Sequence, residues 1–464
     1  MFTTLFIREL QGYLYGLRFQ ISFAIFVPVF IFGTLSSLSS LHETRESYAK
    51  ISRNDATTLA NRAGNLSSVA VSTSHYLFPP KDYLVVDDCK EEMLPNKLTY
   101  TAYQVSGFEV QQGGANPFLK RAQGLNWSFI LSMLLSFMTL LLAYDSISGE
   151  KEDHTLSLVF SNRVSRGSYL IAKFFGIVTA LFCVALVGVT GSILAAVLSK
   201  EIQIDGAFLT NVVGFLGTSL LFISVMAVIG LLASTLSKQS NISLLICLTV
   251  WMFLAVVYPN SSLFLANKVF PIPDYLQVQA EIQQEADDIN RNAPEGSWAS
   301  NGGNPFYPRH ELRANNQTNL LNARRRRQDA YYDQMFRQFE NTRLLGIFSP
   351  MAQFEQMNEG VLGGGYLRFK KNWNDLHVFQ ASFLQWFKDL DAKDEKSPHW
   401  YNPYEDYSTS RQPVAVDQIP VYTEKPAAFS ERLAHIRGYL LAMIALFGIL
   451  LALCFVRFLR YDVR

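Results

Sequence analysis

Charged residues are scarce in this sequence, and long stretches contain almost none. Asp, Glu, Lys and Arg make up 17% of the 464 residues, and the formal net charge is +1. A nearly neutral chain gives no electrostatic reason to expect nucleic acid as a partner. Cysteine is scarce as well, with four residues. Because Cys89 is alone in a long polar loop, we expect a free thiol or an intermolecular bond there.

The sequence also lacks the motifs that would give it chemistry of its own. It contains no G-x-x-x-x-G-K-[ST] loop for ATP, no H-E-x-x-H, no G-x-S-x-G and no C-x-x-C. We expect His399, near Asp391 and Asp394, to be a solvated loop residue rather than a metal ligand, because local geometry places no second ligand. The sequence therefore predicts no catalytic, cofactor-binding or metal site and no enzymatic activity.

The chain does contain six apolar runs, each long enough to cross a bilayer as a helix of about 20 residues. Lipid offers no partner for an unpaired backbone group, so each run must be helical. The predicted transmembrane spans are 19–40, 126–144, 169–198, 208–235, 242–265 and 433–456. Ion-coupled carriers usually keep carboxylates or histidines inside their spans, whereas these runs hold almost no ionisable residues. Energy for any transport is therefore expected to arrive mechanically, through the cytoplasmic surface.

The distribution of Lys and Arg predicts the orientation of the spans. The basic residues on the predicted cytoplasmic side are Arg8, Arg18, Lys151, Arg163, Arg166, Lys173, Lys238, Arg457, Arg460 and Arg464. The short loop on the other side of the membrane, between the third and fourth spans, contains Lys200 as its only basic residue. Both termini are therefore predicted to be cytoplasmic, with a short tail at 457–464. The helical spacing of apolar residues in 1–18 favours an amphipathic elbow helix in the interface over a frayed extension of the first span.

This orientation leaves two large extracytoplasmic insertions. Residues 41–125 begin with a helix-like part and then have strand-like stretches at 67–73, 82–88 and 98–110, so an α+β insertion is expected. Residues 266–431 have mainly helical periodicity. The predicted fold class is a membrane α-helical protein with six transmembrane helices, an elbow helix and these two insertions.

A run of four arginines, Arg324–Arg327, stands out in the second insertion. It would suit contact with an anion, a lipid headgroup or cargo. Charge runs in long external loops are more often solvated helical stretches balanced by nearby carboxylates, and we favour that interpretation.

The cytoplasmic segment 145–168 is charged and helix-prone, although apolar runs flank it. Its acidic residues crowd the beginning and its basic residues the end, as a helix dipole favours. Leu156, Val159 and Phe160 share one helical face, and Ser165 is placed to cap the next helix. We interpret the segment as a short rigid helix that offers a small apolar knob to a docked partner. The alternative is an ordinary hairpin with balanced charges.

The segment resembles the coupling segment of ABC exporter permeases of the ABC-2 (type V-like) family. Their D…GE…GTL…S…PVSR…K pattern is matched by residues from Asp145 to Lys173, except at His154, where the family usually has Gly, and at Asn162. The C-terminal "FVRFLRYDVR" is similar to a large-loop subgroup related to permeases linked to gliding and to nitrous oxide reductase maturation. The coupling residues that the resemblance implies are Asp145, Glu150, Thr155, Leu156, Val159, Phe160, Arg163 and Arg166.

The resemblance implies a complex of two ABC ATPase subunits with this permease and a second, identical or homologous one, in the bacterial inner membrane. One hypothesis is export of a substrate, driven by the separate ATPases. The other is mechanotransmission without transport, in which the outer domains act on a periplasmic or envelope protein. A membrane-anchored hydrolase is poorly supported, because the sequence has no motif for one.

Overall fold

The computed structural model describes residues 2–91, 94–108, 125–161, 164–295, 297 and 310–461. Helices dominate it, and two π-helical turns, Ile130–Leu135 and Phe253–Val257, continue the helices that flank them. The α-helices are α1 (Phe2–Tyr15), α2 (Leu17–Arg62), α3 (Leu66–Val71), α4 (Trp127–Phe129), α5 (Ser136–Ala143), α6 (Ser148–Glu152), α7 (Thr155–Ser161), α8 (Arg166–Ser199), α9 (Gly206–Leu236), α10 (Ser240–Met252), α11 (Tyr258–Val269), α12 (Tyr275–Arg291), α13 (His310–Leu345), α14 (Pro350–Leu362), α15 (Gly365–Asp391) and α16 (Phe429–Leu459). The strands are β1 (Ser74–Leu77), β2 (Lys97–Tyr100) and β3 (Val105–Gly107).

Six helices of the described chain are long and apolar enough to cross a membrane, as the sequence predicts. They are Leu17–Arg62, Trp127–Glu152, Arg166–Ser199, Gly206–Leu236, Ser240–Val257 and Phe429–Leu459. The first is much longer than the expected span, because the helix continues without a break to Arg62. At 1.5 Å per residue, its 46 residues form a rod of about 69 Å. The protein is therefore a multi-pass membrane protein with one helix that reaches far beyond the bundle.

Helix α9 lies at the centre of the bundle, where it packs against α5, α8, α10 and α16. Small residues allow these helices to approach closely. A Cβ atom on Gly230 would lie 2.5 Å from the Cβ of Ala143, and one on Gly188 would lie 2.5 Å from the ring of Phe30 on α2. Substituting either glycine would therefore force helices apart, which the tight packing of a protein interior resists.

The bundle has two ends with different contents. We call one the terminal side, because α1, the short helices α6 and α7, and the end of α16 meet there. The other is the insertion side, where most of the described residues of the two insertions lie. Helix α1 is separate from α2, with a break at Gly16, and it packs along α8. The break supports the elbow helix over an extension of the first span.

Two of the three strands predicted in the first insertion are not strands in the structure. Residues 67–73 lie mostly in α3, and Asp82–Val85 forms a 3-10 turn. Asn65 accepts a hydrogen bond from the Ser68 backbone and so caps α3, which overrides the β-branched composition. The third stretch does supply β2 and β3, which form an antiparallel sheet with β1 in the order β1-β2-β3.

The second insertion is mainly helical, as expected, but α14 is not a peripheral helix. It packs between α9 and α16 and buries Met351, Phe354 and Met357 among the spanning helices. Asn358 of α14 is fully buried and accepts a hydrogen bond from Thr218 of α9 at 2.7 Å. The periodicity of the sequence indicates a helix here. The polar Glu, Gln and Asn residues of α14, however, give no indication that this helix packs among the spanning helices.

The arginine run in α13 has acidic neighbours. Arg327 pairs with Glu285 at 2.8 Å and with Glu281 at 3.1 Å, and Arg326 pairs with Glu285 at 3.2 Å. Glu281 and Glu285 belong to α12, which packs against α13. These contacts fit the interpretation of a solvated helical stretch whose charges are balanced locally.

Arg368 of α15 holds the two insertions together. Its guanidinium is buried and donates to Glu424 at 2.6 Å, to Glu91 at 3.0 Å and to the carbonyl of Pro79 at 2.7 Å. Burial alone would raise the pKa of Glu424, but the hydrogen bond and charge of Arg368 overcome it and lower the pKa to about 2. Because that pKa lies below its unfolded value, the pair stabilises the fold above pH 4.5 and loses its contribution as the pH falls towards 2.

We predict that Arg368→Met destabilises the outer domain by about 3–5 kcal/mol, because Glu91 loses the guanidinium that pairs with it and, of its described ion pairs, Glu424 keeps the one with Lys81. Thermal unfolding of the purified protein measures the loss of stability, and hydrogen exchange in α15 measures it locally. Arg411→Met, in the irregular segment after α15, is the matched control and leaves the transition unchanged. Equal unfolding of both variants would show that the Arg368 cluster contributes nothing.

Candidate functional site

The segment between the second and third spans is broken into two short helices, not one. α6 ends at Glu152 and α7 begins at Thr155, so the single rigid helix expected over this stretch is wrong. At the break, His154 has a φ of +56°, in the left-handed region that favours glycine. The glycine that the resembled permeases usually have at this position suits the same turn. Ser165 caps α8 by accepting from the backbone N–H of Ser168 at 3.1 Å, as expected.

The beginning of the segment is bonded to α1, α2 and α8. Arg18 of α2 donates to Asp145 at 2.5 Å, and the Tyr13 hydroxyl of α1 lies 2.9 Å from Ser146. Glu150 accepts from the Tyr169 hydroxyl and, at 2.8 Å, from the buried ammonium of Lys173.

Lys173 also donates to Glu9 of α1 at 3.1 Å. Asp145 and Glu150 therefore serve contacts within this chain, and the elbow helix is linked to the segment through Lys173.

Lys151 bonds the segment to the end of α9. Its buried ammonium donates to the carbonyls of Thr235 at 2.6 Å, Ser237 at 2.9 Å and Ser234 at 3.3 Å. The last carbonyls of a helix have no partner within the helix and carry partial negative charge, so a cation there is stabilising. The next residue, Glu152, accepts from the backbone N–H of Ser240 at 3.0 Å, where α10 begins.

The far end of the segment is bonded to α16. Arg166 donates to the carbonyls of Leu459 and Tyr461, both at 2.8 Å. The Phe160 ring lies 6.0 Å from the ring of Phe458 and 5.5 Å from that of Tyr169. Every spanning helix thus has its terminal-side end joined to this segment by at least one described contact.

The apolar face of α7 points into the protein and not towards a partner. Leu156 is only 3% exposed and belongs to the bundle core, and Val159 and Phe160 pack against that core. This burial does not fit an apolar knob exposed to a partner, and a coupling role for these three residues stays a prediction. Helical spacing shows that the three residues share a face, but it does not show which surface covers that face.

The exposed surface of α7 consists of different residues. Leu158 is 67% exposed, and Thr155, Ser157 and Ser161 are exposed beside it. Of the predicted coupling residues in α7, Thr155 alone faces outward. Sequence reasoning missed Leu158, although its position three residues after Thr155 places it on the same face. Arg163, the remaining predicted residue, lies outside the described residues.

The described chain is a multi-pass membrane bundle in which one small charged segment contacts the terminal-side end of every spanning helix. The family model for "ABC-2 family transporter protein" matches residues 3–463. The chain therefore belongs to the ABC-2 transporter family and is a permease subunit, a class that lacks ATPase activity and works with separate ATPase subunits.

One relative is the probable ABC transporter permease protein NosY of Pseudomonas aeruginosa. It is 31% identical to this chain over 130 residues, which are 28% of this chain and 47% of NosY. The chain therefore matches about half of the length of this relative.

The opposite environments of two neighbouring leucines give a stability prediction. Leu156→Ala removes buried contacts and is expected to cost about 2–5 kcal/mol, whereas Leu158→Ala stays within about 0.5 kcal/mol. Chemical unfolding of the protein in lipid nanodiscs, followed by Trp fluorescence, measures both. If Leu158→Ala were the more damaging change, the described orientation of α7 would be wrong.

Proposed function

We propose that this permease exports a substrate across the bacterial inner membrane, and that two ABC ATPase subunits drive it by binding the exposed face of α6 and α7. A second permease subunit, identical or homologous, completes the complex. The contacts of the segment carry the proposal. A force on α7 would reach α2 through Asp145 and α8 through Glu150. It would reach α9 through Lys151 and α16 through Arg166. The ends of these helices would therefore move together.

The docking surface we propose is formed by Thr155, Ser157, Leu158 and Ser161. It presents one large apolar side chain among small polar ones, and an apolar anchor surrounded by polar residues is typical of the centre of a binding interface. Leu156, Val159 and Phe160 support this surface from below by fixing α7 on the bundle.

We predict that Leu158→Asp abolishes stimulation of the partner ATPases by the permease, because it places a charge at the centre of the interface. Membrane insertion and thermal stability stay unchanged, since the side chain is exposed. The measurement is ATP hydrolysis by the purified complex in nanodiscs. Val416→Asp, an exposed apolar residue of the outer domain, is the matched control and retains stimulation. Full stimulation in Leu158→Asp would reject this docking surface.

Both termini and α7 are proposed to face the cytoplasm, and the two insertions the periplasm. The support is the basic residues on the terminal side, which include Arg18, Lys151 and Arg166. In cells that produce the permease without its ATPase subunits, we expect Ser157→Cys to react with a membrane-impermeant maleimide only after the cells are permeabilised. Ser382→Cys, exposed on α15, is expected to react in intact spheroplasts. The reverse pattern would invert the topology and remove α7 from the reach of any cytoplasmic ATPase.

A second function is favoured by the rigid connections between the bundle and the outer domain. The rod α2 carries Arg18 at one end and reaches β1 at the other, and α14 is wedged between α9 and α16. These connections suit mechanotransmission to a periplasmic or envelope protein. We also propose that the chain belongs to the large-loop subgroup of its family, which its similarity to the NosY permease and the size of its insertions support.

The two functions differ in what ATP does to the seam between the permease subunits. Structures of the complex with and without a non-hydrolysable ATP analogue distinguish them. Export requires a continuous cavity between the subunits in at least one state. A seam that stays sealed while the outer domains move would contradict export and support force transmission.

A further inference from the structure

A cavity of about 170 Å³ lies where the insertions meet the spanning helices, away from the segment that we propose the ATPases bind. The first insertion contributes one wall, the second and fifth spans contribute others, and α13 and α14 close it. An engineered cavity of about 150 Å³ can hold a molecule of the size of benzene. This cavity is therefore large enough for a small organic ligand. The residues that matter below are Asp87, Phe129, Tyr258, Phe339 and Gln356.

Both π-helical turns of the spanning helices border this cavity. Ser132 and Met133 belong to the turn Ile130–Leu135, and Ala255 belongs to the turn Phe253–Val257. A π-helical turn costs regular hydrogen bonding and is frequent at functional sites. Two separate helices are therefore distorted beside one cavity. This distortion indicates, independently of the charges, that the cavity is a functional feature and not a packing defect.

The cationic side chains in the wall are already matched by carboxylates. Lys90 donates to Glu355 at 2.7 Å, and Arg343 donates to Glu359 at 2.9 Å. Asp87 is a further carboxylate, 6% exposed, whose oxygen accepts from the backbone N–H of Cys89 at 2.8 Å.

No ion pair joins Asp87 to a basic residue among the described side chains. Burial, and next the charge of Asp88, raise the pKa of Asp87 to about 8. An ionised carboxylate without a counter-ion is unfavourable here, so the Asp87 carboxyl is mostly protonated at neutral pH. A bound cation would stabilise the ionised form.

A second polar group in the wall also lacks a partner. The side-chain oxygen of Gln356 is buried and accepts no hydrogen bond from the described residues. An amide oxygen can only accept, so it requires a donor. Phe129, Tyr258 and Phe339 line the cavity from three different helices, and aromatic rings can attract a cation.

From this juxtaposition we infer that the cavity binds a small organic ammonium ion, with Asp87 as its counter-ion and Gln356 as a hydrogen-bond acceptor. The described residues contain no group of three His, Cys, Asp or Glu side chains suited to a metal ion, which favours an amine over a metal. The inference goes beyond the proposed function, because it holds whether the complex exports a substrate or transmits force.

The test uses three probes of one size with different charge: benzylamine, benzyl alcohol and benzoate. Calorimetry on the purified protein in nanodiscs measures their binding at a pH of about 8, where Asp87 is ionised to a larger extent and benzylamine is still protonated. We expect benzylamine to bind at least about tenfold more tightly than benzyl alcohol, and benzoate not to bind. Equal binding of benzylamine and benzyl alcohol would overturn the inference, and so would the absence of benzylamine binding.

Two variants assign the binding to this cavity. Asp87→Asn keeps the shape and removes the charge, and it is expected to weaken benzylamine binding by about tenfold or more. Gln356→Met removes the acceptor and is expected to weaken binding by a few fold, and it also serves if Asp87→Asn fails to fold. Asp389→Asn, on the exposed surface of α15, is the matched control and leaves binding unchanged. Benzylamine binding that survives both cavity variants would place the ligand elsewhere and reject the inference.

Discussion

The buried ammonium of Lys151 at the carbonyl end of α9 is the contact on which the working surface of this permease depends. It satisfies three carbonyls that a helix end leaves without partners, and it fixes α6 directly against the central helix of the bundle. Without this contact, α6 and α7 would be a loop at the membrane surface. With it, they form a rigid part of the bundle, which can receive force and pass it to the other helices.

Around this contact, the other charged residues of the segment follow the same pattern. Asp145, Glu150 and Arg166 each bond to a different helix of this chain. The charge that makes the segment conspicuous therefore holds it in place. In the function proposed above, docking is assigned to the smaller exposed surface around Leu158, and these charged residues are assigned the transmission of force.

Much of this architecture could be predicted from the sequence, because bilayer thickness and backbone hydrogen bonding constrain apolar runs strongly. The six spans follow from such constraints, whereas the role of residues 145–168 as a coupling segment rests on the family resemblance and stays a prediction. The inward direction of Leu156 could not be predicted, because helical spacing groups residues by face and does not show what covers each face. The position of α14 could not be predicted for a similar reason. An asparagine such as Asn358 suggests solvent exposure, and its hydrogen-bond partners Thr218 and Ser128 are distant in the sequence.

On the function proposed here, a nucleotide-driven neighbour binds the exposed face of α7. Site-specific photo-crosslinking in the intact membrane complex can detect this contact, with a benzophenone amino acid placed at Leu158, and at Val378 on the outer domain as a control. We expect a crosslink from position 158 to the ATPase subunit and none from position 378. A crosslink to the ATPase from position 378, or none from position 158 in a complex that hydrolyses ATP, would show that α7 is not the docking surface.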